Sequence, residues 1–97
     1  MYARIARFEG GEADAIRQSA EETKARADSG PPEGLPAKGF MMLIDPDNGR
    51  GLGITLFETE DDLRKGDEVL NSMSPAGDGM GSRASVESYE VAIDLRV

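Results

Sequence analysis

The chain has 97 residues and a formal net charge of −8, and it contains neither cysteine nor histidine. Its acidity argues against nucleic acid and anionic membranes as partners, because both bind clustered Lys and Arg side chains. Without cysteine there is no disulfide and no thiolate metal site. Without histidine the commonest general base, haem ligand and zinc ligand are all missing. We therefore expect no metal site and no cofactor.

The length is that of one compact domain, spanning residues 1–97. A chain of this size hides only about two-thirds of its unfolded surface. It has 3 Phe, 2 Tyr and no Trp, so few large aromatic side chains are available to fill the core. The N-terminal sequence is too short and too charged for a secretory signal, and no long apolar run exists. A cytoplasmic protein is the expectation.

The first part of the chain predicts a strand followed by a helix. Residues 2–8 place apolar side chains among small and basic ones, which is typical of a short strand. Residues 10–30 repeat small apolar residues at three- and four-residue steps, which predicts a helix. Acidic residues near its start and basic residues near its end complement the helix dipole. Gly30 is placed to end this helix, and the prolines that follow forbid its continuation.

The middle of the chain predicts a β-hairpin. Residues 39–45 form an apolar run of strand length, and residues 46–49, with the sequence PDNG, have turn chemistry. Residues 50–58 return as a strand in which large apolar residues alternate with other types. Met41 and Met42, within the first of these strands, could wall an adaptable pocket or fill the core or an interface.

A second helix is predicted over residues 59–73. It opens with Thr59 and Asp62 in a variant of the capping box, and the acidic residues of its first turn suit the helix dipole. Gly66 weakens this helix by roughly 1 kcal/mol relative to alanine, so it suggests close packing.

The chain then closes with a polar connector and one more strand. Residues 74–83 are rich in glycine and polar side chains, which is typical of a connector. Residues 88–97 alternate cleanly, and their apolar positions predict a strand with one face in the core. These positions are Tyr89, Val91, Ile93, Leu95 and Val97.

The order βαββαβ predicts an α+β, ferredoxin-like domain, a four-stranded antiparallel sheet with both helices on one face. The helices cover only one side of the sheet, yet residues 40–44 are apolar on both sides. Phe57 and Phe8 also fall on the phase opposite Leu56 and Ile5. A second apolar face calls for a partner, so we predict a homodimer through the sheet faces.

Several segments resemble the antibiotic-biosynthesis-monooxygenase-like (ABM) domains of the dimeric α/β-barrel superfamily. These segments are the first strand, YARIARFEG, the GF that opens the second, and GITLFETEDDLRK, a strand that turns directly into a helix. The closing YEVAIDLRV completes the likeness. The resemblance implies a homodimer of two packed sheets, with a cavity in each subunit between sheet and helices.

The same resemblance implies an activity class. Known ABM members include cofactor-free oxygenases of polycyclic aromatic phenols and haem-degrading enzymes, which use Asn, Trp, Tyr or His in the cavity. The lack of His and Trp here argues against haem degradation. Cofactor-free oxygenation needs mainly deprotonation of the substrate and an apolar pocket for oxygen. No catalytic residue is carried over from the family.

Polar residues on the predicted strands are the candidates for binding a ligand among apolar neighbours. Arg4 could pair with an anionic substrate or an ionised phenol, and a tyrosine could donate a hydrogen bond. The structural alternative is exposure at an edge, or a salt bridge such as Arg4 with Glu90. The candidate positions are Tyr2, Arg4, Thr55, Glu58 and Tyr89.

Two functions remain open from the sequence. The first is an ABM-like homodimer that binds a small aromatic or hydrophobic metabolite and acts as a cofactor-free monooxygenase. The alternative is a non-catalytic dimeric binding or structural module, which the missing His and Trp and the lack of converging acid–base groups favour.

Overall fold

A computed structural model of the protein describes residues 1–28, 30, 34–72 and 81–96, with the side chain of Ser72 excepted. The described elements follow the predicted order βαββαβ, and their sheet is four-stranded and antiparallel, with strand order β2-β3-β1-β4. Neither of the two helices that the structure describes is long and apolar enough to cross a membrane. The elements are β1 (Tyr2–Glu9), α1 (Ala13–Ala27), β2 (Ala37–Asp45), β3 (Arg50–Phe57), α2 (Glu60–Ser72) and β4 (Ser82–Glu90).

Both helices lie on one side of the sheet, as the sequence predicts. Residues paired directly across antiparallel strands point to the same side. One such row runs from Phe40 through Thr55 and Arg4 to Ser88. The α1 helix lies over β2 on this side, and Asp67 of α2 contacts Arg4 there. We call this side the helix face.

The other side of the sheet, which we call the open face, is covered by neither helix. Ile5 and Met41 flank Ile54 in a row across three strands of this face. The side chains of Met41, Leu43 and Tyr89 are each about half exposed, at 51%, 43% and 49%. The domain therefore carries a second apolar sheet surface, in agreement with the phase of its strands.

The contact between Gly66 and Phe57 fixes α2 on the sheet. Phe57 is fully buried on the helix face, at 0% exposure. A Cβ atom added at Gly66 would fall within contact distance of the Phe57 ring and would crowd Leu35 as well. Glycine thus lets the helix approach more closely than any other residue would, which confirms the close packing that its position predicts.

Local hydrogen bonds set the start of α2 and the hairpin turn. The amide N–H of Asp62 donates to Oγ1 of Thr59 at 3.1 Å, which confirms the predicted cap. In the turn, Gly49 adopts a φ of 66°, in the left-handed region where side chains are strained. Its carbonyl oxygen accepts a hydrogen bond from the N–H of Gly11 at 3.0 Å. This bond ties the hairpin to the chain just before α1.

The last strand lies earlier in the chain than the alternation of residues 88–97 predicts. It ends at Glu90, which pairs with Tyr2, the first residue of β1. Because β4 is an edge strand with β1 as its neighbour, no strand remains beyond that point to accept its hydrogen bonds. The N–H of Val91 still donates to the carbonyl oxygen of Met1, at 2.8 Å, and the pairing then stops. Alternation without a neighbouring strand does not make a strand.

The predicted core face of that segment consequently lies in solvent. Ile93 and Leu95 are 85% and 82% exposed. Ser82 and Arg83, which the sequence assigns to a connector, instead begin β4. Residues 73–80, which hold the rest of that connector and the predicted end of α2, and residue 97 lie outside the described residues.

The Gly66–Phe57 contact predicts that Gly66→Ala lowers the free energy of unfolding by about 1–3 kcal/mol, because the added methyl group overpacks the contact. In an uncongested helix the same change would be stabilising by about 1 kcal/mol. Chemical denaturation monitored by circular dichroism measures the difference. In a Phe57→Leu background, where the ring is gone, the penalty of Gly66→Ala should shrink. A stabilised single variant would show that the contact does not constrain the helix.

Candidate ligand-binding site

A cleft opens on the helix face between α1 and β2. Its volume is about 260 Å³. On the α1 side, most of the lining residues are small and recur at helical spacing, so they leave space that larger side chains would fill. On the β2 side, the lining is formed by alternate residues of the strand. The lining residues are Ala20, Thr23, Lys24, Ala27, Phe40, Met42 and Ile44.

The cleft reaches solvent because β2 is an edge strand of the sheet. Phe40 remains 53% exposed and Ile44 38% exposed, although both point toward α1. Among the described residues that line the cleft, Lys24 alone is ionisable, and its side chain is exposed. The cleft thus offers apolar walls, with an aromatic ring on one side and one cation. Such walls suit a flat apolar molecule, and the cation suits an anionic substituent on it.

Arg4 lies near the centre of the helix face and is almost completely buried, at 4% exposure. Its Nε donates to Oδ1 of Asp67 at 2.8 Å, and its Nη2 donates to Oδ1 of Asn71 at 3.0 Å. The salt bridge with Glu90, which the sequence left open as an alternative, is replaced in the structure by one with Asp67. The charge is instead compensated from α2, as a buried guanidinium requires.

Tyr2 and Thr55 share the helix face with Arg4. Thr55 is 4% exposed and lies between Phe40 and Arg4 in the cross-strand row. Tyr2 is half-buried and pairs with Phe57 in the next row of the same face. The sheet therefore brings together three of the candidate residues identified from the sequence.

The remaining two candidates lie elsewhere. Glu58 follows β3, and its exposed carboxylate faces Nζ of Lys38 at 3.5 Å. Tyr89 lies on the open face, where its hydroxyl donates to the carboxylate of Glu87, and Glu87 also accepts a hydrogen bond from Nε of Arg7. Neither side chain is placed to contact a ligand in the cleft.

The Arg7–Glu87–Tyr89 group shifts the ionisation of its members. The hydrogen bond from Tyr89, followed by that from Arg7, holds the pKa of Glu87 below its usual value. The same bond to the carboxylate raises the pKa of Tyr89 above its usual value near 10. The bond from Arg7 to Glu87 likewise raises the pKa of Arg7. All three groups are therefore held in their ordinary charge states near neutral pH.

Sequence reasoning missed Lys24, which lines the cleft, and it missed Asp67 and Arg83, which lie around Arg4 and Asn71 away from the cleft. Lys24 had only a helix-dipole role, although it lies four residues after Ala20 and so shares its face of α1. Asp67 and Arg83 gave no local signal, because their partners are distant in sequence. Met42 does wall the cleft, whereas Met41 lies on the open face. The residues that the structure describes contain no cluster of three His, Cys, Asp or Glu side chains that would hold a metal ion.

The fold is similar to that of solved structures. The chain matches the haem degrader MhuD from Mycobacterium tuberculosis, with two haems bound in its active site, at 18% identity and a TM-score of 0.68, over 99% of this chain and 100% of that one. It also matches a MhuD mutant with two manganese protoporphyrin IX molecules per active site, at 18% identity, a TM-score of 0.66 and full coverage of both chains. No protein-family model and no curated protein sequence matches significantly. The comparisons establish the ferredoxin-like fold that the ABM resemblance implies.

The hydrogen bond to Glu87 predicts that Tyr89 ionises at a pH above its usual value near 10. Ultraviolet absorbance of tyrosinate during an alkaline titration measures this, and Tyr89→Phe identifies the phase that belongs to Tyr89. Glu87→Ala should move that phase to lower pH. Because the pKa of Tyr89 is raised in the folded state, its hydrogen bond to Glu87 stabilises the folded protein fully at pH values below the unfolded-state pKa. This stabilisation is lost as the pH rises through the folded-state pKa. If Tyr89 ionises at the same pH in the Glu87→Ala variant, the hydrogen bond to Glu87 is not the cause of its raised pKa.

Proposed function

We propose that the protein binds a small, flat, mostly apolar molecule with an anionic substituent in the cleft between α1 and β2. The observation that carries the proposal is the combination of apolar walls with Lys24, the one ionisable residue among the described residues of the lining. Ligand sites of this kind are mostly apolar, with a few polar groups that fix orientation. An aromatic carboxylate or an ionised phenol has this chemistry.

The size of the cleft favours a ligand smaller than a porphyrin. Sites for drug-sized ligands occupy about 300–1,000 Å³, and this cleft, at about 260 Å³, lies just below that range. The two MhuD structures hold two tetrapyrroles per active site. This chain contains no histidine to serve as an axial ligand to haem iron. A haem held through a histidine ligand is therefore not the ligand that we propose.

Binding without turnover is the form of the function that the geometry supports best. Lys24 is exposed, and the part of the lining that the structure describes contains no second acid or base. Arg4, a second cation of the helix face, is occupied by Asp67 and Asn71. Cofactor-free monooxygenation remains the enzymatic hypothesis, and oxygen uptake with a bound phenol would establish it over the non-catalytic one.

The open face supports a homodimer in which two sheets pack against each other. Its apolar row of Ile5, Ile54 and Met41 is flanked by the half-exposed Leu43 and Tyr89. A patch of this kind on a small domain marks an interaction surface. A second copy is the simplest partner, because a two-fold axis pairs the same patch with itself.

Ala20→Leu should weaken ligand binding at least about tenfold, because the added side chain fills the cleft; that loss corresponds to about 1.4 kcal/mol. Fluorescence titration with 2-naphthoate as the probe measures it. Ala25→Leu is the matched control, since it makes the same change at an exposed position of α1. Lys24→Gln should weaken the binding of 2-naphthoate more than the binding of 2-naphthylmethanol, which carries no charge. Equal affinities for the Ala20 and Ala25 variants would place binding outside the cleft.

Ile54→Lys should convert a dimer into a monomer, because it places a charge at the centre of the open face. Sedimentation equilibrium at micromolar concentration measures the mass, and circular dichroism checks that the variant is folded. Gln18→Lys adds the same charge at an exposed position of α1 and should leave the dimer intact. A monomeric wild-type protein at these concentrations would contradict the dimer.

A further inference from the structure

Two arginines from different strands converge on one amide oxygen beside α2. Nη2 of Arg4, from β1, donates to Oδ1 of Asn71 at 3.0 Å. Nη1 of Arg83, from β4, donates to the same oxygen at 3.1 Å. An amide oxygen has two lone pairs, so these two donors saturate it. Asn71 thus holds two guanidinium groups near each other.

The charges of this cluster do not balance among the described residues. Asp67 is the carboxylate that pairs with Arg4, and its Oδ2 accepts a further bond from Nδ2 of Asn71 at 3.2 Å. No described carboxylate forms an ion pair with Arg83. Two cations therefore face one anion, in a chain with 19 acidic and 11 basic residues. An excess of positive charge at this point is unusual for so acidic a protein.

The cluster also reaches solvent and keeps unused donors. Asn71 and Arg83 are exposed, while Arg4 behind them is buried. A guanidinium has five N–H donors in a fixed fork that suits carboxylate and phosphate oxygens. Arg83 uses one of its nitrogens on Asn71 and leaves the others available. Ser88, which is exposed and lies beside Arg4 on the helix face, offers a hydroxyl nearby.

We propose that Arg83 and Arg4 form a binding site for an oxyanion, a carboxylate or phosphate group, with Asn71 as the residue that positions both guanidiniums. Arg83 makes the direct contact from the solvent side, and Arg4 supplies fixed positive charge behind it. The Asp67 side chain is 41% exposed, and its carboxylate competes with an incoming anion for the positive charge of Arg4. The site goes beyond the apolar cleft and, for a free ion, does not depend on it.

The oxyanion can be a free ion or the anionic end of a ligand in the cleft. Arg4 lies two strands from Phe40 in the same row, a distance of about 10 Å at the usual strand spacing. Thr55, which is buried, stands between them. If Ala20→Leu leaves the affinity for inorganic phosphate unchanged, the site binds a free anion. Binding confined to 2-naphthoate and weakened by both Ala20→Leu and Arg83→Gln would identify the end of a cleft ligand.

The test is a titration of the full chain with inorganic phosphate and, separately, with 2-naphthoate, at constant ionic strength, followed by calorimetry or amide chemical shifts. Arg83→Gln should weaken binding of whichever probe occupies the site by about tenfold or more, the usual effect of losing a charge-assisted hydrogen bond. Arg50→Gln is the matched control, since it removes the same charge from the hairpin, where Arg50 pairs with Asp45. It should leave affinity unchanged.

A second variant tests the role of the internal carboxylate. Asp67→Asn removes the competing charge and should tighten anion binding several-fold, while Glu68→Gln, the same change at the next and exposed residue, should not. Equal losses in the Arg83 and Arg50 variants would reduce the effect to general electrostatics and overturn the site. Failure of both probes to saturate the wild-type protein would overturn it as well. A loss of 2-naphthoate binding in the Ala20→Leu variant tests the cleft alone, because phosphate binding at the arginines is measured separately.

Discussion

The contact of Gly66 with the Phe57 ring determines where α2 lies and, through α2, the environment of Arg4. Because no Cβ separates them, the helix backbone comes down onto the fully buried ring. The next residue, Asp67, then lies within 2.8 Å of Arg4, and Asn71, about one turn later, reaches the same guanidinium. A larger residue at position 66 would lift this whole surface of the helix away from the sheet. The burial of Arg4 as a cation is possible because that approach brings its carboxylate.

The two helices therefore play unequal parts on one sheet face. The α2 helix packs tightly, and its polar residues complete a partly buried ion pair. The α1 helix faces β2 with Ala20, Thr23 and Ala27, whose small side chains leave the cleft open. The bond between Gly11 and Gly49 fixes the chain near the start of α1 without closing that space. The same fold thus provides a rigid polar cluster near its centre and an open apolar cleft at its β2 edge.

Local signals in the sequence predicted what depends on near neighbours, and they failed where a partner was distant. Turn chemistry predicted the hairpin, Thr59 predicted the start of α2, and the opposite phases of Phe57 and Leu56 predicted two apolar faces. The partner of Arg4 was missed because Asp67 lies 63 residues away, and nothing local favours it over Glu90. The last strand was misplaced because alternation records which side of a strand is apolar, whereas its ends depend on where β1 stops. Tyr89 and Arg4 looked equivalent for the same reason, since the register between strands decides which face each one occupies.

Likeness of fold to MhuD leaves the chemistry of the site to the residues of this chain. A shared sheet and helix arrangement provides a space between helices and sheet, and the side chains decide what enters it. Here the space is lined by apolar groups and Lys24, and histidine is absent. The other cations of the helix face, Arg4 and Arg83, are gathered by Asn71 away from the cleft. A fold whose solved neighbours hold large tetrapyrroles thus presents, in this sequence, an apolar cleft beside Lys24 and a separate cluster of arginines.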